Sequence, residues 1–129
     1  MKVFEDWANE LIEYFRDEKG APFDPPPKLK VDMSAHSRFD PFVPTGHYDF
    51  RNDEITLYAS NRQCKDVLRT LAHELVHAVQ WRKNPQAYEQ FDKSGDIASN
   101  DTLRKLEKEA YELGNLWFRD WTESKAGRT

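Results

Sequence analysis

The stretch Thr70-Leu71-Ala72-His73-Glu74-Leu75-Val76-His77 constrains this chain more than any other. Around it, Val67, Leu68, Leu71, Ala72, Leu75, Val76, Ala78 and Val79 recur at helical spacing and fill the side opposite the histidines. That pattern predicts a core helix from Arg62 to Arg82, stopped by Asn84-Pro85. Residues four apart lie about 40° apart around a helix axis, one turn along. His73 and His77 can therefore aim ring nitrogens at one point, each about 2.0–2.1 Å from a Zn²⁺ ion. Glu74 is rotated about 100° from His73. It is poorly placed to share that ion, but it can reach a water beside it. A carboxylate there can act as general base toward a water whose pKa zinc lowers to about 7. A buried helix with an uncompensated His, Glu, His cluster is costly, and a metal is the simplest compensation. The expected cofactor is Zn²⁺, with His73 and His77 as ligands and Glu74 as the catalytic base.

Composition narrows the class. With 129 residues the chain suits one domain, 1–129, with a real core. A net charge of −4 argues against nucleic acid or an anionic membrane as a general partner. No run approaches the roughly 20 apolar residues of a membrane span. The opening MKVFEDWANELIEYF is broken by acids and is no secretory leader. Cys64 is the only cysteine, which leaves no disulfide framework and no cysteine zinc cluster. Its place at the start of the helix, on the core side, reads as structural. A cytoplasmic protein is expected.

The flanking elements point to an α+β fold. Val3, Phe4, Trp7, Leu11, Ile12 and Phe15 make residues 2–17 an amphipathic helix, with Gly20 as its stop. APFDPPP, 21–27, is a rigid loop. KLKVDMS, 28–34, alternates as a half-buried strand. Residues 46–50 and EITLYAS, 54–60, joined by Arg51-Asn52-Asp53, read as a hairpin with Ile55, Leu57 and Ala59 on one face. Residues 86–99 read as loop with at most one helical turn. Asn100, Asp101 or Thr102 caps a final helix running to about Trp121. The architecture expected is an N-terminal helix, a small, mainly antiparallel sheet of about three strands, the central helix and a C-terminal helix.

A catalytic zinc site takes three protein ligands and keeps one open position. No histidine follows His77, so a third ligand downstream must be a carboxylate. The last helix offers Glu107, Glu109 and Glu112. If Leu103, Leu106, Ala110, Leu113, Leu116 and Trp117 mark its packing face, Glu109 lies inside that arc and Glu112 outside it. Glu107 lies on the other flank, beside Gly114 and Phe118, and stays open as the alternative.

TLAHELVH followed by Glu109-Ala110-Tyr111 resembles the small gluzincin-type zinc metallopeptidases, particularly the ImmA/IrrE-like group. The resemblance covers about residues 54–118 and is sharpest over those two motifs. It implies a minimal zincin-like core, peptide-bond hydrolysis and a third ligand at Glu109. Tyr111 stands where Asn is usual, Val76 where many relatives have Gly, and Leu113 where larger gluzincins place an Asp. The expected partner is a peptide or protein substrate. In such enzymes it pairs with the strand bordering the cleft, here taken as EITLYAS, with Thr56 and Tyr58 as candidate substrate-binding residues. His47, Tyr48, Tyr58, Tyr88 and Tyr111 are candidates to stabilise an oxyanion. The alternative class is a non-catalytic regulatory or protein-binding module with a structural zinc. It would need a fourth ligand from His36, His47 or an acid in the 86–101 loop.

Overall fold

The computed structural model describes residues 2–33, 45–60, 62–88 and 101–126. Its element order is α1 (Lys2–Glu18), β1 (Lys28–Asp32), β2 (Gly46–Asp49), β3 (Glu54–Tyr58), α2 (Cys64–Lys83) and α3 (Asp101–Lys125). A helical turn at 85–88 follows α2. The fold is α+β. His36 and most of the 86–101 loop lie outside the described residues.

α1 buries Phe4, Ala8, Leu11, Ile12 and Phe15, the stripe its periodicity demands. It ends at Gly20, whose φ of +70° is a left-handed conformation natural to glycine. The Ala21 amide then closes back on the Phe15 carbonyl at 3.0 Å. Two edge-on aromatic pairs, Trp7 with Trp121 and Phe15 with Trp117, join α1 to the distal half of α3.

The sheet has the order β1-β3-β2. The β2–β3 hairpin is antiparallel, with Gly46 opposite Leu57 and Tyr48 opposite Ile55. β1 is parallel to β3, with Leu29 opposite Ile55. The sheet is therefore mixed, not purely antiparallel. The hairpin fixes the sense of β3 against β2, and inserting β3 between β2 and β1 makes the other pairing parallel. Asp49 shapes the turn by accepting the amides of Arg51 and Asn52. Asp53, at φ +51°, then presents its carboxylate to Tyr48 Oη, at 2.6 Å, and to Arg82. The Arg82 guanidinium also donates to the carbonyls of Pro22 and Pro25 at 2.6 Å each. One cation thus ties the end of α2 to the hairpin turn and the proline loop.

α2 lies between the sheet and α3, with Val67, Leu68, Leu71, Ala72, Leu75, Val76, Ala78 and Val79 buried as expected. Cys64 departs from expectation: it is exposed, because α2 starts there and its first turn projects beyond the core. Gln63 is the N-cap residue and makes no side-chain capping bond. Among the described residues, no helix is long and apolar enough to cross a membrane.

Candidate metal centre and cleft

α3 settles the site by its rotation. The residues it buries run Leu103, Ala110, Gly114, Phe118, Trp121. These steps of three, four and seven residues pass through position 107, so Glu107 shares that stripe, one turn before Ala110. Leu116, which the sequence suggested for the packing face, is 40 % exposed. Gly114 sets the distance between the helices. A Cβ there would lie 3.0 Å from His73 Cα and 3.2 Å from His73 N. α3 therefore crosses α2 in near-backbone contact at His73, and Glu107 is carried to the histidines.

His73, His77 and Glu107 present ligand atoms that all lie within 4.8 Å of one another. Glu107 Oε1 is 2.6 Å from His77 Nε2, and Oε2 is 3.9 Å from His73 Nε2. The imidazoles stand nearly perpendicular, with centroids 4.9 Å apart. Glu109, the expected third ligand, is elsewhere: its Oε1 accepts from Gln80 Nε2 at 2.9 Å. The structure thus assembles the triad with Glu107. Glu109 falls inside the expected apolar arc because Leu116 is counted in it. The Ala110/Gly114 pair of small residues was the signal for the true contact line.

The donor set suits a divalent metal. Two imidazole nitrogens and a carboxylate oxygen converge, and a tetrahedral ion with bonds near 2.1 Å needs donors about 3.4 Å apart. The observed spacings bracket that value. Burial lowers the His73 pKa, and the His77 charge adds to this against the opposing effect of Glu107. His77 is raised: burial opposes protonation, but the Glu107 hydrogen bond and the Glu74 and Glu107 charges outweigh it. The His77 hydrogen bond holds Glu107 low, against the effect of burial. Metal binding would take over the role of the His77 proton.

Glu74 is 7 % exposed. Burial pushes its carboxyl up to about 7, with His77 opposing and Glu107 reinforcing the shift. Gly46 of β2 runs directly over it: a Cβ there would meet Thr70 Cγ2 at 2.6 Å and Glu74 Cγ at 3.3 Å. Arg62 pins this crossing, donating to the carbonyls of Thr45, Tyr58 and Asp66 and to Thr70 Oγ1.

A cleft of about 770 Å³ opens over the triad. β2 and the start of its turn form one wall, and Arg69, Thr70, His73, Glu74, His77, Glu107, Tyr111 and Asn115 belong to the helical side. Thr56 and Tyr58 are not among its lining residues. This corrects the expectation that β3 borders the cleft: β3 is the central strand, with both edges occupied by β1 and β2. Of the two outer strands, β1 and β2, it is β2 whose residues line the cleft. Of the oxyanion candidates, Tyr48 Oη is held by Asp53, and Tyr88 Oη lies behind His77, 2.8 Å from Nδ1. His47 alternates with Gly46 and Tyr48, which pack toward α2, so its side chain is on the opposite, exposed face. Tyr111 is 61 % exposed, and its ring lies tilted beside the His73 ring, centroids 4.5 Å apart, one turn beyond Glu107.

Comparison of the chain with protein-family models, curated protein sequences and solved structures returns no match.

Proposed function

We propose that this chain is a zinc-dependent metallopeptidase of gluzincin type, with His73, His77 and Glu107 as ligands and Glu74 as general base. The observation that carries the reading is the convergence of His73, His77 and Glu107 beside a buried Glu74 that does not join the triad. A structural zinc site ordinarily closes with four ligands. Among the described residues no fourth His, Cys, Asp or Glu joins this cluster. A zinc ion held there would supply Lewis-acid activation of a water molecule and of the scissile carbonyl.

The chain's own residues account for the rest. An extended peptide adds to the open edge of β2, where backbone amides and carbonyls hold it without regard to sequence. Glu74 takes the proton from the attacking water as the C–O bond forms. It then delivers that proton to the amide nitrogen as the C–N bond breaks, and the proton left on the new carboxyl group passes to the freed amine, giving a carboxylate and an ammonium. Tyr111 Oη donates to the carbonyl oxygen as negative charge develops there. The partner is thus a peptide or protein segment able to lie extended.

The test combines zinc stoichiometry by elemental analysis with cleavage of a mixed peptide library by the wild type, Glu74→Gln, Glu107→Gln and Glu109→Gln. The reading expects one zinc per chain, retained with loss of cleavage in Glu74→Gln and lost in Glu107→Gln. Cleavage that survives Glu74→Gln, or zinc that survives Glu107→Gln and disappears with Glu109→Gln, overturns the assignment of roles.

A further inference from the structure

Behind the metal triad lies a second layer of polar groups that the proposed chemistry does not use. Gln80 is 7 % exposed and Tyr88 2 %. His77 Nδ1 is 2.9 Å from Gln80 Oε1 and 2.8 Å from Tyr88 Oη. Tyr88 Oη in turn donates to Gln80 Oε1 at 2.6 Å. The other end of the Gln80 amide donates to the Leu106 carbonyl and to Glu109 Oε1, both at 2.9 Å.

Donor and acceptor logic makes this layer directional. The Leu106 carbonyl and the Glu109 carboxylate only accept, so the group facing them must be the Gln80 NH₂. Its carbonyl oxygen, which only accepts, is then turned toward His77. Nδ1 must be the protonated nitrogen if it is to bond to that oxygen. A neutral His77 so held carries its lone pair on Nε2, the nitrogen facing Glu107. His73 has no equivalent side-chain partner among the described residues: its Nδ1 is buried without one.

We propose that Gln80, locked in one orientation by Glu109 and the Leu106 carbonyl, is the positioning residue that keeps His77 Nδ1 protonated and Nε2 free to bind the metal. This rests on the metal-site reading and gives Glu109 a role as the anchor of Gln80. Tyr88 gives the arrangement a recognisable failure mode. While Gln80 is present, the Tyr88 hydroxyl donates to the amide oxygen. Once Gln80 is removed, His77 Nδ1, 2.8 Å from that hydroxyl, becomes open to accept from it. Donation into Nδ1 places the proton of neutral His77 on Nε2, where it blocks metal.

The test is zinc affinity of the full chain, measured by chelator competition, with no dependence on hydrolysis. Gln80→Ala should weaken zinc binding about 10- to 100-fold, the range typical of losing a partner behind a metal-bound histidine. Tyr88→Phe should weaken it less than threefold. The double variant should bind zinc more tightly than Gln80→Ala alone, a reversal that a purely structural role does not produce, since packing losses accumulate. Glu109→Gln, whose amide oxygen can still accept from Gln80, should stay within about threefold of wild type, while Glu109→Ala should not. In ¹⁵N-histidine spectra of the zinc-loaded chain, the His77 Nδ1 proton should be protected from exchange in wild type and Tyr88→Phe and lost in Gln80→Ala. Unchanged affinity in Gln80→Ala, or losses that merely add in the double variant, overturns the proposal. Where zinc affinity follows this pattern but no peptide is cleaved, the peptidase reading fails and the positioning role stands. A wild-type chain that takes up no zinc overturns both.

Discussion

Gly114→Ala pits helix propensity against packing, and the structure decides between them. In an exposed helix interior, Ala is favoured over Gly by about 0.8–1.0 kcal/mol. Here the new methyl would lie 3.0 Å from His73 Cα, 3.2 Å from His73 N and 3.5 Å from the Ala72 carbonyl carbon. Comfortable carbon–carbon contact is about 3.5–4.0 Å, and backbone atoms cannot rotate aside. α3 must retreat by roughly 0.5–1 Å at the crossing, a distortion in the overpacking range of about 1–3 kcal/mol. The net expectation is a destabilisation of about 0–2 kcal/mol in urea titration. The functional consequence is sharper. Glu107 lies two turns before Gly114 on the same side, so it is drawn away from His77, with which it now makes a 2.6 Å contact. Zinc affinity should therefore fall by more than the change in stability alone accounts for. A variant that is more stable by about 1 kcal/mol and binds zinc unchanged would refute the close approach and the placement of Glu107 with it.

Gly46→Ala should bring Thr70 and Glu74 into collision and cut peptide cleavage by at least about tenfold while zinc content stays at one per chain; lost zinc would mean a wider disturbance. Tyr111→Phe should lower kcat by roughly 10²-fold or more with KM nearly unchanged, and an unaltered kcat would remove the tyrosine from the mechanism. Arg82→Ala strands the Asp53 carboxylate and the Pro22 and Pro25 carbonyls, and with the pair only partly buried the expected cost is about 1–3 kcal/mol, read by urea denaturation. In chelator, the chain should lose stability as pH rises from about 5 to 8: His77, raised in the fold, contributes below its ordinary pKa and loses that contribution as pH climbs through the raised value, while Glu74, pushed up to about 7 by burial, is increasingly forced to ionise in place. With zinc the trend should reverse over the same range, because protons compete for His77; parallel trends with and without metal would refute the coupling.

Periodicity carried most of the fold. The stripes of α1 and α2 and the alternation of β3 are strong because one face of each is wholly apolar, and burial follows them closely. The mixed pairing was less legible. Residues 28–32 show that a strand exists, but nothing within five residues says which neighbour it joins or in which sense. That depends on β3 lying between β1 and β2, a long-range arrangement without local signature. The same ambiguity displaced the expected substrate edge. EITLYAS has the composition of a fine strand, but its inner position uses its backbone groups on both sides, so the strand proposed for recognition is the shorter β2.

The candidate third ligand was obscured because α3 has two apolar sides. Trp117, Leu113 and Trp121 serve packing near α1, and including Leu116 pulls the arc toward Glu109. The side that meets α2 contains an alanine and a glycine, which score weakly as apolar residues but permit the closest approach. Size, rather than hydropathy, marks that contact line, and a functional carboxylate is placed best where its helix comes nearest to the histidines. Once rotation is set by Ala110 and Gly114, both glutamates fall into place. Glu107 reaches the ring nitrogens of His77 and His73, and Glu109, two residues on, meets Gln80 behind His77. The two carboxylates that compete in the sequence for one position thus occupy successive layers around one histidine. Zinc stoichiometry should separate them, with Glu107→Gln removing the ion and Glu109→Gln leaving it.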